Sequence, residues 1–173
     1  MRWVTIPLLG ALAAALAHPA ARAQHHGVVE ATPEGPYTPR LGDVMIMQQI
    51  RHSKLWFAAA ANNWELAEHE LDGLKQGFAD IAKLFPIVYE VPVAPAIRAL
   101  DDNEIVQLSE AIGTRDRFKF AGAFDKLTAA CNACHQVTKH AFIVIQQPIS
   151  PPFNNQSFTP GPQDPSGMSG HPH

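Results

Sequence analysis

The chain has only two cysteines in 173 residues, and it has no run of basic residues. Two cysteines cannot make the disulfide framework of a small stapled domain. Without a basic patch, neither nucleic acid nor an anionic membrane is expected as the main partner. After the first two dozen positions no apolar stretch approaches the ~20 residues that a membrane helix needs, so stable membrane insertion is not expected either. Strand-like alternation and internal repeats are also missing. What is present, between two proline-rich ends, is about a hundred residues with the apolar period of helices.

The ends read differently from the middle. Arg2, the apolar run "VTIPLLGALAAALA" and the small residues of "ARA" have the order of a secretory signal, with cleavage expected after Ala23. Pro7 and Gly10 make an uncleaved anchor a poorer reading. Removing residues 1–23 takes away Arg2 and Arg22 and no acid. That leaves 11 basic against 16 acidic residues, a net charge of −5. The expected location is the periplasm. Residues 24–40 read as a flexible leader. Residues 148–173, rich in Pro, Gly, Ser and Asn, have too little apolar surface to offset the entropy of ordering. They are expected to be a disordered tail, with Phe153 and Phe158 as candidate pins onto the domain.

The expected fold is all-α, an antiparallel four-helix bundle over residues 41–147. Helix 1 is expected from Leu41 to about Ala61. Asn62 and Glu65 have the spacing of a capping box for helix 2, which carries Leu66, Leu74, Phe78, Ile81 and Phe85 and stops before Pro86. "PIVYEVPVAPAIRAL" is expected to be an irregular connection. Asp101 and Glu104 suggest a second capping box opening helix 3, which ends near Gly113. Thr114 or Asp116 would start helix 4, reaching about Lys139, with "FIVI" beyond it extended.

Both cysteines lie in "CNACH", Cys131 to His135. On a helix, Cys134 and His135 fall three and four residues beyond Cys131, so all three side chains share a face. A disulfide at that spacing would close a tiny loop and restrict the unfolded chain very little. A zinc site needs about four ligands, and three cluster here. A thioredoxin-type pair belongs to a strand-to-helix turn, which the pattern lacks. Cys-x-x-Cys-His is instead the attachment pattern of c-type haem: each thiol adds to a vinyl group, and the adjacent imidazole becomes an axial iron ligand. Cys131 and Cys134 are therefore the candidate attachment points of one covalent haem c, and His135 is its candidate proximal ligand. Phe120, Phe124 and Leu127 share the stripe of Cys131, and Thr138 and Phe142 are expected to continue it. Ala129, Ala130 and Ala133 leave room for a macrocycle near the backbone.

An attachment motif late in the last of four helices resembles the cytochrome c-prime family and its low-spin relatives, the class II cytochromes c. Lys139, four residues after His135, matches a basic position common in that family. The resemblance spans roughly residues 41–142. It implies either an electron carrier serving periplasmic redox partners or a five-coordinate haem protein that binds NO or CO. A homodimer through helices 1 and 2 is an assembly common among such relatives. The proline-rich connection, the long tail and "HSKLWFAAAANNWELAEHEL" depart from the family pattern.

A carrier, not an enzyme, is the leading expectation, and it needs a sixth iron ligand. Leu41, Met45, Gln48, His52, Leu55 and Ala59 form one stripe of helix 1, which makes Met45 the candidate. Met47 points with Asp43, Arg51 and Lys54 toward solvent. His52 is the runner-up, about 10 Å further along the axis, and it gains if helix 4 continues through "FIVI" to Gln146. Arg51 beside His52 would be the acid–base pair of a remoter, peroxidase-like reading. Trp56, Phe57 and Trp64 are expected to pack, and His69 to be solvated. His140 is expected at the helix end; His25 and His26 lie in the leader, and His171 and His173 in the tail.

Overall fold

A computed structural model describes residues 37–162. The expected signal, most of the leader and the last part of the tail, with His25, His26, His171 and His173, lie outside the described residues. The described chain is mostly helical, with one two-stranded hairpin. Among the described residues no helix is long and apolar enough to cross a membrane.

Helix α1 spans Leu41–Ala60 and α2 spans Trp64–Leu84. Asn63, not Asn62, caps α2, its side chain accepting from the Leu66 N–H at 3.1 Å. Asn62 is instead used one step earlier, in the left-handed conformation (φ 58°) that ends α1. The Asn63 N–H reaches the Ala58 carbonyl at 2.9 Å and the Asn62 N–H reaches Ala59 at 3.0 Å, which closes a Schellman motif. Asparagine tolerates that conformation better than most residues.

The connection after α2 is more ordered than its prolines suggest. Ile87–Val88 (β1) and Val91–Pro92 (β2) pair antiparallel across a two-residue turn. Tyr89 (φ 46°) and Glu90 (φ 69°) both occupy left-handed backbone there. Helix α3 then starts at Val93, eight residues before the expected Asp101 cap, and runs to Leu100. Pro95 does not prevent this. It stands at the third helical position, where a backbone N–H has no intrahelical partner to lose. Asp101–Ile105 form a π-helical turn, and α4 spans Val106–Gly113. Leu100, Asp101, Ile105 and Val106 all keep right-handed helical dihedrals, so the path is continuous. Within the wide turn the Asn103 side chain donates to the Ala99 carbonyl at 2.5 Å, competing with the backbone ladder.

Helix α5 spans Arg117–Val137, capped by Asp116, which accepts from the Phe118 and Lys119 N–H groups at 3.0 Å each. It ends at Thr138, short of "FIVI". The His140 N–H donates to the His135 carbonyl at 2.7 Å, and Lys139 (φ 61°) takes the left-handed position. The chain therefore reverses at Lys139 and returns along α5. Phe142, expected on the apolar stripe, lies past this reversal and is 80% exposed. Residues 148–162, expected to be disordered, have a described path without helix or strand. Phe158 sits against Phe57 with ring centroids 5.6 Å apart, whereas Phe153 is exposed.

The core joins all these helices. Leu55, Ala58 and Ala59 of α1 meet Ala67, Leu71, Leu74 and Phe78 of α2, Leu108 and Ile112 of α4, and Phe120, Phe124 and Leu127 of α5. Gly73 and Gly77 let α1 side chains lie on α2. A methyl group at Gly77 would come 2.3 Å from the Gln48 Oε1, and one at Gly73 would meet the Arg51 guanidinium. Glu70, wholly buried between these helices, is ion-paired with Lys54 and with Arg51 at 3.7 Å.

Candidate functional site

One large cavity of about 1140 Å³ lies between α1, α2, α3, the π turn and α5. It is at or above the upper end of the roughly 300–1,000 Å³ usual for small-molecule sites. Its wall is mainly apolar: Leu74, Phe78 and Ile81 from α2, Val93 and Ile97 from α3, and Leu127 from α5. Cys131, Cys134 and His135 line it from the end of α5, and Met45 and His52 line it from α1. The structure thus brings every candidate site residue to one cavity.

Both thiols are free and half-buried. Burial foremost, then the neighbouring Cys134 and Glu104, pushes the Cys131 thiol up to about 12, and burial also raises Cys134. Reactive redox cysteines and thiolate ligands depend on the opposite shift. Among the described residues no three His, Cys, Asp or Glu side chains form a group that could hold a metal ion by themselves.

His135 is 7% exposed, and its ring is held from behind. Its Nδ1 lies 2.8 Å from the Ile143 carbonyl. A carbonyl can only accept, so Nδ1 carries the proton and Nε2 keeps its lone pair. The carbonyl comes from the returning segment, which Asn132 grips: its Nδ2 donates to the Ile145 carbonyl at 2.8 Å, and its Oδ1 accepts from the Ile145 N–H at 2.8 Å. From the sequence Asn132 has no assigned role, and "FIVI" is expected to be extended without being placed against α5. The available hint was an amide side chain between two cysteines, followed a few residues later by an extended apolar run.

His52 is 5% exposed, and burial lowers its imidazole to about 4. Its Nε2 lies 2.8 Å from the Thr128 Oγ1, whose own proton goes to the Phe124 carbonyl at 2.9 Å. Thr128 therefore accepts, and the Nε2 of His52 is a committed donor. The ring rests on Phe124 with centroids 4.3 Å apart. Phe124 and Phe120 of α5 stack on each other and meet Trp56 of α1 (5.0 Å from Phe124) and Trp64 of α2 (6.2 Å from Phe120), an aromatic cluster joining the three helices. Met45 is partly buried against the core, while Met47 is 47% exposed, as its place on the helix suggests.

Arg51 and His52 diverge, the first toward Glu70 on α2 and the second toward Thr128 on α5, so no acid–base pair is assembled. His69 is exposed. His140 lines the cavity just past the end of α5, its ring 5.4 Å from that of Tyr89, and the Lys139 ammonium lies 5.6 Å over the same tyrosine. The polar groups of the cavity include Gln48, whose Nε2 donates to the Leu74 carbonyl at 2.8 Å, and Asn103 and Glu104 of the π turn.

No protein-family model, curated protein or solved structure matches this chain.

Proposed function

We propose that the chain is a periplasmic c-type cytochrome, with one haem attached through Cys131 and Cys134 and held by His135, and that it transfers single electrons. The observation that carries this reading is the state of His135. Its Nδ1 is engaged by the Ile143 carbonyl, which leaves Nε2 free to ligate, next to two protonated cysteines on the wall of a large apolar cavity. When bound, haem supplies an iron centre that cycles between Fe(III) and Fe(II).

The residues present fit such a group. Each free thiol can add its S–H across one vinyl group, and Cys131 and Cys134 stand three residues apart on one face of α5 beside His135. Leu74, Phe78, Ile97 and Leu127 exclude water from the cavity wall, and Ala130 and Ala133 keep the α5 side of it shallow. Packing of α1 on α2 and α5, and of α4 on α5, supports an antiparallel four-helix bundle as the arrangement that frames the cavity. The partners would be soluble redox proteins.

Met45 is the proposed sixth ligand. The bond between His52 and Thr128 occupies Nε2 of the rival and leaves it only Nδ1, and α5 ends at Thr138, without the longer helix that would have favoured it. Met45 together with His135 would raise the reduction potential, as suits a carrier. The apolar wall of the cavity favours a second reading, in which Met45 only packs and a five-coordinate site would bind NO or CO. Optical spectra of the exported protein separate the two. A carrier shows a six-coordinate low-spin ferrous spectrum and the near-infrared charge-transfer band of Met-ligated ferric haem, lost in Met45→Ala. A high-spin ferrous spectrum that changes on adding CO overturns the carrier reading.

A further inference from the structure

Residues 140–147 form a strap that returns along α5 with few polar contacts to hold it there. Phe142 and Val144 are 80% and 73% exposed, so its apolar hold is left to His140, Ile143 and Ile145, which line the cavity. The strap belongs to no helix or strand. The Schellman end of α5 starts it back, and the Ile143 N–H donates to the His140 carbonyl at 2.8 Å. Beyond that point the two-bond clamp of Asn132 on Ile145 is its polar anchor. A planar amide presents one donor and one acceptor side by side, which matches the N–H and C=O of a single extended residue. Ile143, two residues before the clamped position, is the one whose carbonyl meets His135.

We propose that Asn132 is a positioning residue for the iron ligand: by clamping Ile145 it holds the Ile143 carbonyl on the Nδ1 of His135, and so sets how strongly Nε2 donates. The inference rests on the haem reading above. A metal-bound imidazole that gives its other N–H to a carbonyl has a fixed tautomer and ring orientation and is a more basic ligand. A more basic ligand favours Fe(III), so the clamp holds the reduction potential below the value a loose strap would give. The chain thereby places its tuning element inside the attachment pentapeptide, at a position the pattern itself leaves open.

The test uses the haem-loaded exported protein as wild type, Asn132→Ala and Asn132→Asp. Both variants keep Cys-x-x-Cys-His, so haem content should match wild type. Hydrogen exchange of the Ile145 amide and of the His135 ring proton, followed by NMR in the ferrous state, reads the clamp. The reduction potential reads its effect. Asn132→Ala should speed both exchanges by about tenfold or more, as loss of two hydrogen bonds implies, and should raise the potential. Asn132→Asp, which still accepts from the Ile145 N–H but cannot donate to its carbonyl, should fall between the two. Unchanged exchange in Asn132→Ala overturns the clamp. Faster exchange at Ile145 with an unaltered His135 proton and potential overturns its action on the ligand. Either result leaves the haem reading standing, whereas a wild type that carries no covalent haem overturns both.

Discussion

Acid should destabilise this protein through His52, and the size of the effect follows from its burial. An imidazole of ordinary pKa 6.5 that is lowered to about 4 in the fold binds fewer protons folded than unfolded throughout that interval. Stability therefore rises with pH there. Above pH 6.5 the group contributes nothing. As pH falls, the unfolded chain gains a proton that the fold refuses, at a cost of about 1 kcal/mol at pH 5.5 and about 2 to 3 kcal/mol at pH 4.5, levelling at roughly 3 kcal/mol below pH 4. His52→Gln isolates the effect, because an amide can still donate to the Thr128 Oγ1 but does not titrate. Denaturant unfolding of both proteins at pH 7.5 and 4.5 should show the wild type losing about 2 to 3 kcal/mol more than the variant. The visible spectrum of His52→Gln at pH 7.5 should match wild type, since Met45 and not His52 is the proposed ligand. A difference below about 1 kcal/mol would refute the burial argument, and a changed spectrum would make His52 the ligand.

Removing the Glu70 carboxylate with Glu70→Ala strands Lys54 and Arg51 beside a buried cavity, so equilibrium unfolding should show a loss of about 3 kcal/mol. Arg115 holds left-handed backbone (φ 54°) after α4, where the Asp116 N–H closes on the Ala111 carbonyl at 2.9 Å. Glycine suits that position, so Arg115→Gly should gain about 0.5–1 kcal/mol, read as a higher Tm.

Much of the fold is legible in the chain because helical periodicity and caps are local. Asp116 reads as a cap, and Leu74, Phe78, Ile81, Phe124 and Leu127 as core, from spacing alone. Expectation and structure part where two local rules compete. Asn62 and Asn63 can each cap or end a helix, and the choice depends on which carbonyls α1 leaves unpaired. Pro95 looks like a breaker until its place within the first helical turn is known. Asp101 and Glu104 look like a start, but the helix beginning at Val93 runs through them, one residue wide of an α-helix. The site divides in the same way. Cys131, Cys134 and His135 are a contiguous motif, and Met45 follows from the face of one helix. The strap is a tertiary event: nothing in "FIVI" says that it will turn at Lys139, and nothing in Asn132 says that it will wait for Ile145. The commitment of His52 to Thr128, across 76 positions of sequence, is hidden for the same reason.

Covalent attachment is the claim on which the rest depends, and the mass of the denatured protein tests it most directly. Protein exported by a host with haem-attachment machinery, unfolded in acid and organic solvent, should weigh the mature chain plus one haem and keep its colour. Cys131→Ser combined with Cys134→Ser should give the bare chain. A wild-type mass of the bare chain, with the colour extracted into solvent or never present, would contradict the account.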